Sequence, residues 1–123
     1  MSGGEIRSYR DLRVWQQSME LAEACYHLTR TYPRDELYGL TSQTRRAAVS
    51  IPANIAEGYG RETRPAYINF LRIAQGSLKE LETHILLAER VGIAEPGAAA
   101  AVLLLCGEQG RILRGLIRRL LAP

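Results

Sequence analysis

Glu57, Glu80 and His84 are the side chains in this sequence best suited to chemistry. A carboxylate and an imidazole can pass a proton between them, and two carboxylates with a histidine can hold a metal ion. Either use needs partners at a spacing that brings them together. A di-metal site in a helical bundle takes Glu-x-x-His steps from two helices. Here there is one Glu-to-His step, Glu80 to His84, and its spacing is four. His27 has no partner at a recognisable spacing, and no Ser/His/Asp set or glycine-rich phosphate loop occurs. The pattern supplies no catalytic residue, metal set or cofactor. An enzyme built on Glu57, Glu80 and His84 would need an open cleft onto which all three converge.

The stretch SIPANIAEGYGR, Ser50 to Arg61, places a proline, an asparagine, a glutamate and two glycines inside a helical run. Pro52 removes the bond to the Ala48 carbonyl, so a kink is expected there. Gly58 and Gly60 let the chain turn. The polar residues have a pattern of their own. Gln43, Arg46, Ser50, Asn54 and Glu57 are spaced three, four, four and three, which lines them along one helix stripe. The next segment answers with Phe70, Ile73, Ser77, Glu80, His84, Leu87 and Val91, apolar at both ends and polar between. In a hairpin turning about Arg61, Arg46 falls opposite the Gly76 to Glu80 turn, and an Arg46–Glu80 ion pair is expected. Gln43, Arg46, Ser50, Asn54, Glu57 and Glu80 then form a structural polar network that fixes helix register or a subunit contact. The competing use is a recognition or catalytic cleft.

Basic residues are the other source of function. The chain has 16 Lys and Arg against 13 Asp and Glu, a formal charge of +3. All but Lys79 of the basic residues are Arg, the side chain suited to bidentate phosphate contacts and to stacking on bases. Arg7, Arg10 and Arg13 are spaced by three. Arg111, Arg114 and Arg118 line one face of the last helix, with Arg119 beside them, and no acid follows Arg111. Acidic residues collect elsewhere, notably Glu20, Glu23, Glu80, Glu82 and Glu89. This asymmetry points to a polyanion, with Arg10, Arg13, Arg111, Arg114, Arg118 and Arg119 contacting phosphates. The bland alternative is a solvated face whose arginine stems cover apolar surface.

The elements that position these groups follow from punctuation and periodicity. The 123 residues favour one domain, and 46% hydrophobic content excludes disorder. Residues 1–8 read as a flexible N-terminal segment and residues 9–121 as one domain. Four helices are expected. The first, about Tyr9 to Tyr32, carries Leu12, Trp15, Met19, Ala22 and Tyr26 beside a second seam of Val14, Leu21, Cys25 and Leu28, and Pro33 stops it. The second begins near Asp35, carries Leu37, Leu40, Ala47, Ala48, Ile51 and Ile55, and ends at Gly58 to Gly60. The third, about Arg64 to Val91, holds Tyr67, Leu71, Ala74, Leu78, Leu81, Ile85 and Ala88 in heptad spacing, with Thr63 as cap and Pro65 in the first turn. The fourth, about Pro96 to Leu121, presents Val102, Leu105, Ile112, Leu116 and Leu120. Gly107, Gly110 and Gly115 weaken it by roughly 1 kcal/mol each, and would let a neighbouring helix approach closely. Without a period-two run, the expected fold is all-α, an antiparallel up-down-up-down four-helix bundle. Cys25 and Cys106 lie apart in apolar settings, which reads as buried reduced thiols and a cytoplasmic protein. No signal core or membrane-length apolar run is present.

YRDLRVWQQSMELAEACYHLT, YPRDELYGLTSQTRRAAVSIPANIAEGYGR and FLRIAQGSLKELETHILLAERVG together resemble the four-helix-bundle family of 23S rRNA intervening-sequence proteins. The resemblance spans about Tyr9 to Gly92 and continues more loosely in ILRGLIRRL. Its most specific part is QTRRAAVSIPANIAEG, Gln43 to Gly58. It implies a small bacterial bundle that assembles into a homopentameric ring, encoded within 23S rRNA gene insertions or standing alone. A related branch comprises the accessory variability proteins of diversity-generating retroelements, basic pentameric barrels that bind nucleic acid and the reverse transcriptase. The resemblance thus implies a non-enzymatic accessory protein that binds RNA or DNA, partners itself, and works with a reverse transcriptase. A protein scaffold without nucleic-acid contact is the alternative.

Overall fold

The computed structural model describes residues 4–123. Four α-helices carry the fold: α1 Arg13–Thr29, α2 Leu40–Tyr59, α3 Arg64–Arg90 and α4 Pro96–Leu121. No strand occurs among the described residues. Of the expected flexible segment, residues 1–3 lie outside the described residues. Arg7 and Ser8 are tied back, their backbone N–H groups donating to Asp11 Oδ2 at 2.8 and 3.2 Å.

Helix starts differ from expectation where side chains intercept the backbone. Ser8 accepts from Arg10 N–H while Asp11 reaches back, a capping box that makes Tyr9–Asp11 a separate 3₁₀ turn, so α1 starts four residues late. Residues Arg34–Glu36 form a second 3₁₀ turn. The Glu36 carboxylate accepts from Leu40 N–H at 3.1 Å, which starts α2 there rather than at Asp35. α2 then runs across Pro52 to Tyr59. Thr63 Oγ1 accepts from Ala66 N–H at 3.3 Å and Pro65 occupies the first turn of α3. Gly92, at φ +78°, ends α3 in the left-handed conformation that favours glycine. Glu95 caps α4, and bonds from Ala98 and Gly97 N–H hold its carboxyl below the usual range.

α1 packs on α2, α2 on α3, α3 on α4, and α4 closes on α1. Polar pairs fix the registers. Gln109 Nε2 donates to the Val14 carbonyl at 3.0 Å and Gln17 Nε2 to the Leu105 carbonyl at 3.3 Å. Ser50 stands against Ser77, Arg45 donates to Thr29, and Arg64 reaches the Ala122 carbonyl. The core between the helices is Leu, Ile and Ala, with Leu21, Ile51, Leu71, Leu81 and Leu113 fully buried. On α1 the second seam is the inward one, whereas Met19 and Tyr26 are more than a third exposed. On α4 the inward face is Val102, Cys106, Gln109, Leu113 and Ile117, one position round from the expected leucines. Gly110 meets α3, a Cβ there falling 3.5 Å from Leu78 Cδ2.

Candidate functional site

The expected polar stripe of α2 separates into unconnected parts. Ser50 Oγ and Ser77 Oγ share a 2.7 Å hydrogen bond across α2 and α3. Asn54 Nδ2 donates to the Ser50 carbonyl at 2.8 Å and to Ser50 Oγ at 3.0 Å. Glu57 lies outside this group and pairs with Arg61 at 2.7 Å. Glu80 is exposed and stands 3.6 Å from His84 Nε2. The expected Arg46–Glu80 pair does not form. The Ser50–Ser77 register moves the hairpin centre about two residues beyond Arg61, which sets Arg46 opposite buried Leu81 and turns Glu80 outward. Gln43 and Arg46 are exposed on the first half of α2, and Arg46 borders an open cleft with Tyr26, Tyr38, Arg45 and Val49. Glu57, Glu80 and His84 thus share no cleft, and no group of three His, Cys, Asp or Glu residues among the described residues could hold a metal ion.

Arginines gather at one end of the molecule. The Arg64 contact with Ala122 and the shared cleft of Leu12 with Leu116 bring together the chain before α1, the α2–α3 connection and the last turns of α4. Arg7, Arg10, Arg13, Arg61, Arg64, Arg118 and Arg119 are exposed there, and Arg111 and Arg114 are exposed nearer the middle of α4. Glu5, Asp11, Glu57 and Glu62 are the only carboxylates on the same segments, residues 4–13, 57–64 and 111–123. Nine cations against four anions give these segments +5. The rest of the chain, with seven basic and nine acidic residues, carries −2. The modest overall charge therefore conceals a polar molecule.

Arg61 is half committed, paired with Glu57 and lying 4.8 Å over the Phe70 ring. Arg10 lies 5.8 Å over Tyr9, which itself meets Trp15 edge-on at 5.3 Å. The side chains of Arg13, Arg111, Arg114, Arg118 and Arg119 make no ion pair or hydrogen bond among the described residues. Arg118 and Arg119 sit in the last turn of α4, where positive charge also suits the helix dipole.

The α4 arginines are aimed by glycines. Side chains on a helix lean toward its N-terminus, over the residue four positions earlier. A Cβ at Gly107 would lie 4.0 Å from Arg111 Nη1, one at Gly110 3.3 Å from Arg114 Nη1, and one at Gly115 3.8 Å from Arg119 Nη1. Three glycines thus form shelves on which three guanidinium groups rest. The sequence alone shows the spacing of four but not this use. The shelves also divide the arginines: Arg111 and Arg119 flank the α1–α4 groove with Arg13, whereas Arg114 borders the α3–α4 groove near Lys79. Arg119 lies close enough to Tyr67 to oppose, weakly, the rise that burial imposes on its phenol.

A different surface lies between α1 and α2. Two open clefts of about 620 and 580 Å³ share Tyr26 and Val49. Leu37, Tyr38, Val49 and Met19 are exposed on them, Tyr38 at 92%. No helix of the described residues is long and apolar enough to cross a membrane.

The family model described as 23S rRNA-intervening sequence protein matches residues 10–115. Among solved structures, a protein of unknown function from the S23 ribosomal protein family of Bacteroides thetaiotaomicron VPI-5482 superposes with a TM-score of 0.79 at 24% identity. The match covers 85% of this chain and 95% of that one, and shows a shared fold. No curated protein matches the chain.

Proposed function

The chain belongs to the 23S rRNA-intervening sequence protein family, and from that premise we propose that it is a non-enzymatic accessory protein that binds nucleic acid, RNA or DNA. One observation carries this reading: nine exposed arginines lie on one half of the bundle, and five of them have no partner within the described chain. Unpaired guanidinium groups held near one another repel. A polyphosphate relieves that repulsion and releases its own counterions on contact. Arg10, Arg13, Arg111, Arg114, Arg118 and Arg119 are the phosphate contacts. The polar groups of α2 and α3, reduced to Ser50, Asn54 and Ser77, serve structure.

An antiparallel up-down-up-down order accounts for the observed residue pairs and for the meeting of the arginine-bearing ends. Assembly into a homo-oligomeric ring, a homopentamer in this reading, would repeat the basic end and multiply its field. The apolar α1–α2 clefts would supply a contact face for another copy or for a reverse transcriptase in the cytoplasm. Those clefts also favour the alternative, a protein scaffold without nucleic-acid contact.

The test is binding of the purified protein to a structured RNA and a matched DNA duplex, as a function of salt. Affinity should fall steeply between about 50 and 200 mM salt. The combined Arg111→Glu, Arg114→Glu and Arg118→Glu variant should lower the log–log salt slope by roughly 2–3 while keeping its helicity, since all three side chains are exposed. Equal binding by that variant, or no binding by the wild type at low salt, refutes the assignment.

A further inference from the structure

We infer that the cleft between the start of α1 and the last turns of α4 takes a single unpaired nucleotide, its base on the apolar floor and its phosphate among Arg13, Arg111 and Arg119. This deepens, and rests on, the nucleic-acid reading above. The cleft has a volume of about 390 Å³, at the small end of the range for ligand pockets. Its floor is Leu12, Ile112 and Leu116, each only partly buried. Its three rim guanidinium groups have no acidic partner among the described residues.

The combination discriminates between targets. The backbone of a regular duplex is convex and polar, and could use the rim but not an apolar floor. An unpaired base presents a flat apolar face with its phosphate close by, and needs both. Arginine suits the rim, since its planar group can stack on a base or take a phosphate in two bonds. Arg111, Gly115 and Arg119 lie four apart on one stripe of α4, which sets the two arginine Cα atoms about 12 Å apart along the helix. Between them Gly115 has no side chain, and a Cβ there would meet nothing nearer than Arg119 Nη1 at 3.8 Å. Glycine at that position leaves room for the Arg119 guanidinium beside the floor.

The experiment measures fluorescence anisotropy of four hairpins: a perfect stem and the same stem with a one-nucleotide bulge, each as RNA and as DNA. The wild type should bind a bulged hairpin at least about fivefold more tightly than its perfect stem, given the usual contribution of one base contact. Gly115→Leu fills the cleft and pushes aside the Arg119 guanidinium, which lies 3.8 Å from a Cβ there, so it should erase that preference while stem affinity falls no further than in Arg119→Gln. Should this variant fail to fold, Arg13→Gln, at an exposed position, should cut the preference instead. Salt-dependent binding without bulge preference overturns the nucleotide cleft and leaves the nucleic-acid reading standing. A preference that survives in folded Gly115→Leu also overturns it. No binding to any of the four hairpins removes both.

Discussion

Replacing Gly58 by Ala should destabilise the protein by about 1–3 kcal/mol, the usual cost of overpacking a tight interior. A Cβ on Gly58 would stand 2.7 Å from Phe70 Cβ and 3.3 Å from the Tyr67 carbonyl oxygen. Neither atom is the free end of a side chain; each moves only with the α3 backbone. Carbon atoms rest at roughly 3.5 Å or more, so α2 and α3 must part by about 0.8 Å at this crossing. Gly58 is the penultimate residue of α2, so the gain in helix propensity is below the roughly 1 kcal/mol of a helix interior and does not offset the clash. Gly76 is the control. It lies within α3, a Cβ there meets nothing within 4 Å, and Gly76→Ala should stabilise by up to about 1 kcal/mol. Urea unfolding at one protein concentration reads both, the midpoints moving in opposite directions with unchanged slope. A Gly58→Ala protein as stable as the wild type would show that the two helices do not touch at Gly58.

Two further outcomes are expected. In a double-mutant cycle of Ser50→Ala and Ser77→Ala, the coupling should be about 0.5–1.5 kcal/mol, from the 2.7 Å bond between the hydroxyls; strict additivity would deny that bond. Burial pushes the Cys25 thiol from an ordinary 9.0 up to about 12, and that of Cys106 likewise. Their contribution to stability is whole below pH 9 and falls as pH rises from 9 toward 12. Over that window the unfolded chain has lost its thiol protons and the folded chain has kept them, so Cys25 alone costs about 1.4 kcal/mol per pH unit. Thermal unfolding from pH 8 to 11 should show the decline, and a maleimide should label neither thiol until the protein unfolds. Rapid labelling of native protein would contradict this burial.

Helix existence was legible in this sequence because Pro, Gly and apolar spacing act locally. α4 spans Pro96–Leu121 as expected, and α3 ends one residue short of Val91. The starts of α1 and α2 were not legible, because Asp11 and Glu36 bond backbone groups that periodicity does not register. The inward face of α4 was hidden by Gln109, a polar residue with no exposed surface that hydrogen-bonds α1, while leucines of equal hydropathy flank it on both sides. The exposure of the basic residues was legible but their arrangement was not. Spacing showed Arg111, Arg114 and Arg118 as one face. In the fold Arg111 flanks the α1–α4 groove, Arg114 the α3–α4 groove and Arg118 neither, and the arginine that faces Arg111 across its cleft, Arg13, lies about a hundred positions away in the chain. The Arg46–Glu80 pair fails because the Ser50–Ser77 register sets Arg46 opposite buried Leu81 and leaves Glu80 exposed.

The closure of α1 against α4 has a practical consequence. The chain leading into α1 and the chain leaving α4 emerge together at the arginine-rich end. Any fusion at either end, whether an affinity tag or a fluorescent label, hangs over that surface. An acidic tag would act as a tethered competitor for the arginines, and a histidine tag would add cations to them only below its imidazole pKa of about 6.5. A circular permutant that joins these ends by a short linker and opens the chain between Gly92 and Glu95 would carry new termini at the α3–α4 connection instead. There, attachments would leave the basic end clear.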